Sequence, residues 1–283
     1  MRTIAFVTQK GGAGKSTLAS SVAVSAHLSG ERVFVIDLDP VQSLLKWSAT
    51  REASDIAVEH IPLSKLAKAH AALEKKGVTL VVVDAPGQDP EALAAVAKIA
   101  DLCIIPARPN AFDLWASEQT RADLKDKCKD QAFLLNQCPP AQQNARVELG
   151  VKALQAMGGL LAPLVSARVD YQEAARLGLG VGEYNPDGVA AQEIREVWSS
   201  IKRRLKKGAP VVKARTEAKV EAKAVEAKPA KAAEPKVAAK VATKPVPAPV
   251  AAKPVAPPEF VMIDAGAPVK GRRAAKGDVR QAA

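Results

Sequence analysis

The chain is poor in cysteine, in aromatic residues and in long apolar runs. Its three cysteines, Cys103, Cys128 and Cys138, contain no CxxC pair in 283 residues. That excludes a disulfide scaffold and argues against a zinc or iron–sulfur centre. Aromatics make up 4% of the chain, although apolar residues reach 48%. No run approaches the roughly 18 apolar residues needed to cross a bilayer. The opening MRTIAFVTQKGG lacks the length and the small-residue cleavage site of a signal peptide. The expected compartment is therefore reducing and cytoplasmic.

The charge that is present divides the chain in two. The formal charge is +11, from 41 basic and 30 acidic residues. Residues 208–283 hold 15 of the basic and 7 of the acidic residues, a net charge of +8. They also hold ten of the 20 prolines, 22 alanines and a single aromatic, Phe260. Such a segment has little apolar surface to offset the entropy of ordering its backbone, so it reads as a disordered Lys/Ala/Pro-rich basic tail. Its EAK repeats over 217–228 place like charges at i,i+4, and Pro229 ends any helix there. An apolar island, PEFVMID, spans 258–264. The tail fits a DNA-contacting arm, a spacer or a docking arm.

Residues 1–207 read as one domain. Apolar, β-branched runs occur at 3–8, 32–37, 56–61, 79–84, 102–106, 132–136 and 160–165. Stretches of helical spacing lie at 16–29, 64–76, 90–100, 113–129 and 190–207. Near-continuous apolar strands alternating with helices predict an α/β fold, a mostly parallel twisted sheet with helices on both faces. Ligands of such sheets sit at the carboxyl ends of the strands.

The first strand runs directly into QKGGAGKST, residues 9–17. A glycine-rich turn between strand and helix aims backbone N–H groups at phosphate oxygens. Gly11, Gly12, Ala13 and Gly14 form the turn. Lys15 is placed for the β- and γ-phosphates, and Ser16 offers a hydroxyl to Mg²⁺. The common pattern GxxxxGK[ST] fails, because its first glycine would fall on Gln9; KGGxGK[ST] fits, with a second lysine, Lys10. Lys10 either reaches a nucleotide held by another subunit or adds local positive potential. Asp37 and Asp39 follow the second strand and Asp84 the fourth. Carboxylates there enter the same crevice as the loop, or else cap helices and turns beside proline.

These motifs resemble the ParA/MinD family of deviant Walker A ATPases, P-loop NTPases. The resemblance rests on KGGAGKST at 10–17, DLDP at 37–40 and VVVDAPG at 81–87, and more weakly on PARPNAFDLWA, FLLNQ and ARVDYQEAARLGLGVGEYNP. It covers about 1–207 and none of the tail. It implies ATP and Mg²⁺ as cofactors and an ATP-sandwich homodimer. Lys10 would cross to the partner's nucleotide, Lys15 would bind the β/γ-phosphates, and Thr17 would contact the α-phosphate. Ser16 would ligate Mg²⁺, with Asp37 and Asp84 supporting its water shell, and Asp39 would orient the attacking water. Asn136 stands where relatives often read adenine, and also fits a turn. The glutamine usual directly after DP is displaced by Val41 to position 42.

Within the family the sequence favours a small ParA-type partition or positioning ATPase, which would segregate or position a plasmid, a chromosome or another large cargo. Such a protein binds DNA without sequence preference, and a ParB-like or other cargo adaptor stimulates its hydrolysis. Its place would be the nucleoid. Arg168 falls where the resemblance implies a DNA-binding arginine. Lys202, Arg203, Arg204, Lys206 and Lys207 at the end of the last helix suit phosphate contacts or a solvated helix end. The alternative is a MinD-like membrane-associated regulator, but GRRAAKGDVRQAA at the end of the chain has no apolar face for a bilayer.

Overall fold

A computed structural model describes residues 1–140 and 144–207. The basic segment 208–283, with its boundary at 207/208, lies outside the described residues.

Among the described residues, six strands form one parallel sheet in the order β3-β2-β4-β1-β5-β6. They are β1 (Arg2–Phe6), β2 (Val33–Asp37), β3 (Ala57–His60), β4 (Leu80–Asp84), β5 (Leu102–Ala107) and β6 (Gln131–Leu135). Alternate residues along each strand face opposite sides. Ile4, Phe6, Val35, Val82, Ile104 and Leu134 join one apolar layer. Ala5, Phe34, Ile36, Val81, Val83 and Ile105 join the other. Burial on both faces is why the strands read as apolar runs rather than alternating ones.

Among the described residues, nine α-helices accompany the sheet: α1 (Lys15–Leu28), α2 (Ser43–Thr50), α3 (Leu66–Lys75), α4 (Pro90–Ile99), α5 (Ala111–Leu124), α6 (Ala145–Met157), α7 (Asp170–Arg176), α8 (Val181–Tyr184) and α9 (Val189–Lys207). α1 and α9 supply Leu18, Val22, Ile194, Val197, Trp198 and Ile201 to the first layer. α3 and α4 supply Leu66, Leu73 and Val96 to the second. The chain leaves β1 toward β2 on one side, and leaves β4 toward β5 on the other. The connections thus diverge at the carboxyl ends of β1 and β4, where a crevice opens.

Three sequence expectations are revised. The run 160–165 is not a seventh strand. It meets β6 through a bridge from Leu160 to Phe133 and hydrogen bonds from the Leu161 and Val165 N–H groups to the Phe133 and Leu135 carbonyls, without forming a ladder; Pro163 has no N–H to extend one. The helix expected to reach residue 129 stops at Leu124, after which Lys125 is extended and Asp126 has φ +63°. Helices α2, α6, α7 and α8 were not expected.

Candidate active site

The phosphate-loop sequence joins β1 to α1 at the centre of the sheet. Gly14 caps α1 at φ +93° with no side-chain cap, so the first amides of the helix are left for a ligand. A Cβ at Gly14 would collide with Asn136 Nδ2. Glycine is required there twice over, by the backbone angle and by the approach of Asn136.

The loop is held from outside by its neighbours. Asn136 Nδ2 donates to the Ala13 carbonyl at 2.8 Å, and Gln137 Nε2 to the Gly12 carbonyl at 3.0 Å. Gln9 N–H donates to Thr120 Oγ1, and its side-chain amide to Asp123. Carbonyls pulled outward leave amides to turn inward. Asn136 is buried and its amide is occupied by the loop, so it serves the cradle directly. Gln9, Gln137, Thr120 and Asp123 were missed by the sequence reading. Their role depends on contacts across 111 to 125 positions, and no local motif marks them.

Asp37 and Asp84 lie side by side, paired in register across β2 and β4 and fully buried. They differ in how they are satisfied. Asp37 Oδ2 accepts from Leu44 N–H at 2.9 Å and Leu45 N–H at 3.1 Å, and its Oδ1 from Asp39 N–H at 3.0 Å. It thereby caps α2, whose own preceding residue, Gln42, has φ +55° and no side-chain cap. Asp84 Oδ2 accepts the Ser16 hydroxyl, while its Oδ1 is buried without a partner among the described residues. Burial pushes the Asp84 carboxyl up to about 7. The Ser16 hydrogen bond pulls against that rise, the nearby Asp37 and Asp39 charges add to it, and Lys15 opposes it. A divalent cation beside Ser16 and Asp84 would satisfy the orphaned oxygen and favour the charged form. The residues present therefore fit Mg²⁺.

Asp39 is half-buried. Its Oδ1 accepts from Val41 N–H at 2.9 Å, a turn contact. Lys15 Nζ lies 3.4 Å from where a Cβ on Gly87 would stand, so the bare backbone after Asp84 admits the lysine tip. Ser16 and Thr17 open α1, half-buried. Residues Thr8, Gln9, Pro86, Gly87, Asp89 and Leu93 line a cavity of about 290 Å³ beside the loop. Lys10 makes no side-chain hydrogen bond or ion pair among the described residues.

The DNA-contact candidates are not brought together. Arg168 pairs with Glu193 near the start of α9 at 3.0 Å. Arg204 lies eleven residues further on, about 16 Å along a helix. It is turned inward onto Asp130 and the Gln131 carbonyl, below the start of β6. Lys202 lies over the Trp198 ring, 5.4 Å from its centroid. Arg203, Lys206 and Lys207 are exposed.

Residues 4–226 match the CobQ/CobB/MinD/ParA nucleotide binding domain. The chain belongs to this family. Over 190 residues it is 31% identical to the maintenance of carboxysome distribution protein A of Gloeobacter kilaueensis, covering 64% of this chain and 83% of that one. Over 219 residues it is 28% identical to the protein of the same name from Halothiobacillus neapolitanus, covering 70% and 95%. The fold is shared with the septum site-determining protein MinD of Pyrococcus horikoshii in complex with Mg-ADP. That match has a TM-score of 0.58 at 17% identity, over 71% of this chain and 96% of that one.

Proposed function

We propose that the protein is a ParA-like ATPase that closes a homodimer around ATP and Mg²⁺, and in that state holds DNA without sequence preference to position a large cargo. The observation that carries the reading is Lys10. It begins an anion-binding loop that already has its own lysine, and it finds no partner within its subunit among the described residues. A cation in that position is suited to a neighbour's triphosphate. Exposed apolar side chains follow the strands at the same end of the sheet: Val41 after β2, Phe112 and Trp115 after β5, and Leu149 after β6. A face-to-face dimer would cover them.

Lys15 and the amides of residues 11–17 bind the phosphates. Ser16 and Asp84 hold the metal, which when bound neutralises developing phosphoryl charge. Asp39 orients the water, and Asp37 fixes the loop carrying Asp39 by capping α2. Asn136 holds the phosphate loop in shape through the Ala13 carbonyl. Lys202, Arg203, Lys206 and Lys207 meet DNA phosphates, joined by Arg168 and Arg204 to the extent that their pairs with Glu193 and Asp130 leave them free. The names of the two carboxysome-distribution relatives favour a cargo of that size class. A cargo-bound adaptor would stimulate hydrolysis. The site of action is the cytoplasm, on the nucleoid. Retention on random-sequence DNA with ATP, with ADP and without nucleotide tests this reading. Retention that needs ATP supports it; equal retention in all three contradicts it.

A further inference from the structure

The segment PARPNAFD, between β5 and α5, carries an arginine that the roles above do not use. Arg108 Nε donates to Asp113 Oδ2 at 2.8 Å, and Nη2 to Asp113 Oδ1 at 3.0 Å. Its backbone N–H also donates to Oδ2 at 3.2 Å. Asp113 is itself fixed: its N–H donates to the Asn110 side chain that caps α5, and its side chain is only 1% exposed. The Nε/Nη2 edge of the guanidinium is thereby locked, while a third of the Arg108 side chain remains exposed.

The third nitrogen lies against the phosphate loop. Nη1 is 3.7 Å from where a Cβ on Gly12 would stand. The loop carbonyls nearby already have donors, Gln137 for Gly12 and Asn136 for Ala13. Nη1 makes no hydrogen bond among the described residues. A fork held by a buried carboxylate, with its free edge beside an anion-binding loop, matches the geometry of arginine–phosphate recognition.

We propose that Arg108 is a further phosphate-binding residue, donating through Nη1 to an oxygen of a bound nucleoside triphosphate, with Asp113 as the positioning residue that aims it. The triphosphate is either the subunit's own or that of a second copy. The inference rests on the nucleotide-site reading above. A charge-assisted hydrogen bond of this kind predicts about ten- to hundredfold weaker ATP binding when it is removed.

The test is the ATP dissociation constant of Arg108→Gln with Mg²⁺, at low and moderate salt, beside the nucleotide-free melting temperature. The expected result is weaker binding and a shallower salt dependence, with partial recovery in Arg108→Lys. A purely structural role would not move the salt dependence. Because Arg108→Gln leaves Asp113 buried without its cation, the double variant Arg108→Met/Asp113→Leu repeats the measurement on an uncharged pair. Repeating both in a Lys10→Ala background separates the sources. A loss that persists there marks the subunit's own nucleotide, and a loss that vanishes marks the partner's. Folded variants that bind ATP within twofold of the wild type at both salt levels overturn the proposal. Failure of the wild type itself to bind ATP overturns the nucleotide-site reading instead.

Discussion

Asp84 shows how one buried side chain sets the pH behaviour of the nucleotide-free protein. In the folded chain its proton is held up to about pH 7, against an ordinary value of 3.8. The folded state thus binds this proton more tightly than the unfolded state does. Its contribution to stability is full below pH 4 and is lost as the pH rises through 7. Asp84→Asn keeps the shape and removes the cost. Thermal melting of nucleotide-free protein should show the variant more stable than the wild type at pH 8 and similar near pH 4, while Mg²⁺-dependent nucleotide binding falls. A variant less stable at pH 8 would contradict the assignment. Gly14→Ala makes the opposite kind of change. It strains a left-handed position by about 1–2 kcal/mol and drives a methyl into Asn136. Calorimetry should find nucleotide binding lost, together with a lowered melting temperature. Lys15, Ser16, Asp37, Asp39 and Asp84 were legible in the sequence, because each stands at the end of an apolar strand or in a glycine turn. Arg108 and Gln137 were not, because only tertiary packing brings them to the loop.

At the level of elements, α2 links the site to the rest of the domain. Asp37 caps its start, and its end is anchored by Arg51, which follows the last turn. The Arg51 side chain is 1% exposed and pairs with both Asp55 and Glu183. Its Nη1 also donates to the Gly178 carbonyl at 3.0 Å, and Trp47 Nε1 donates to the Leu179 carbonyl at 3.2 Å. These contacts dock α2 onto the turn between α7 and α8. Arg51→Ala would leave two carboxylates near a buried vacancy and should cost about 3–5 kcal/mol in urea unfolding. A loss below 1 kcal/mol would mean the docking is not what holds α2. The sequence did not announce α2, since its eight residues are short for a periodic signal and its cap comes from the preceding strand. The strands were plain because burial on both faces makes them continuously apolar. The exception, 160–165, shows the limit: apolar composition survives at an edge where proline interrupts the pairing. Charge was legible only as a total. Five basic residues close α9, yet Asp130 takes Arg204 inward, a pairing across 74 positions.

For the whole molecule, the basic features sit at two ends of α9, Arg168 with Glu193 at its start and the lysine–arginine cluster at its finish. If both contact DNA, reversing Lys206 and Lys207 to glutamate should weaken retention on every sequence alike and reduce the salt slope by up to about two. An unchanged slope would confine DNA contact to other surfaces. Removing 208–283, which carries a net charge of +8, should lower the slope further if that segment is a DNA arm. The dimer itself is the claim on which the rest depends, and the molar mass in solution measures it directly by light scattering with saturating ATP and Mg²⁺. The account predicts a dimer for the wild type, a persistent dimer for Asp39→Ala, and a monomer that still binds ATP for Lys10→Ala. A wild-type chain that remains monomeric while hydrolysing ATP, or a Lys10→Ala chain that dimerises as the wild type does, would contradict it.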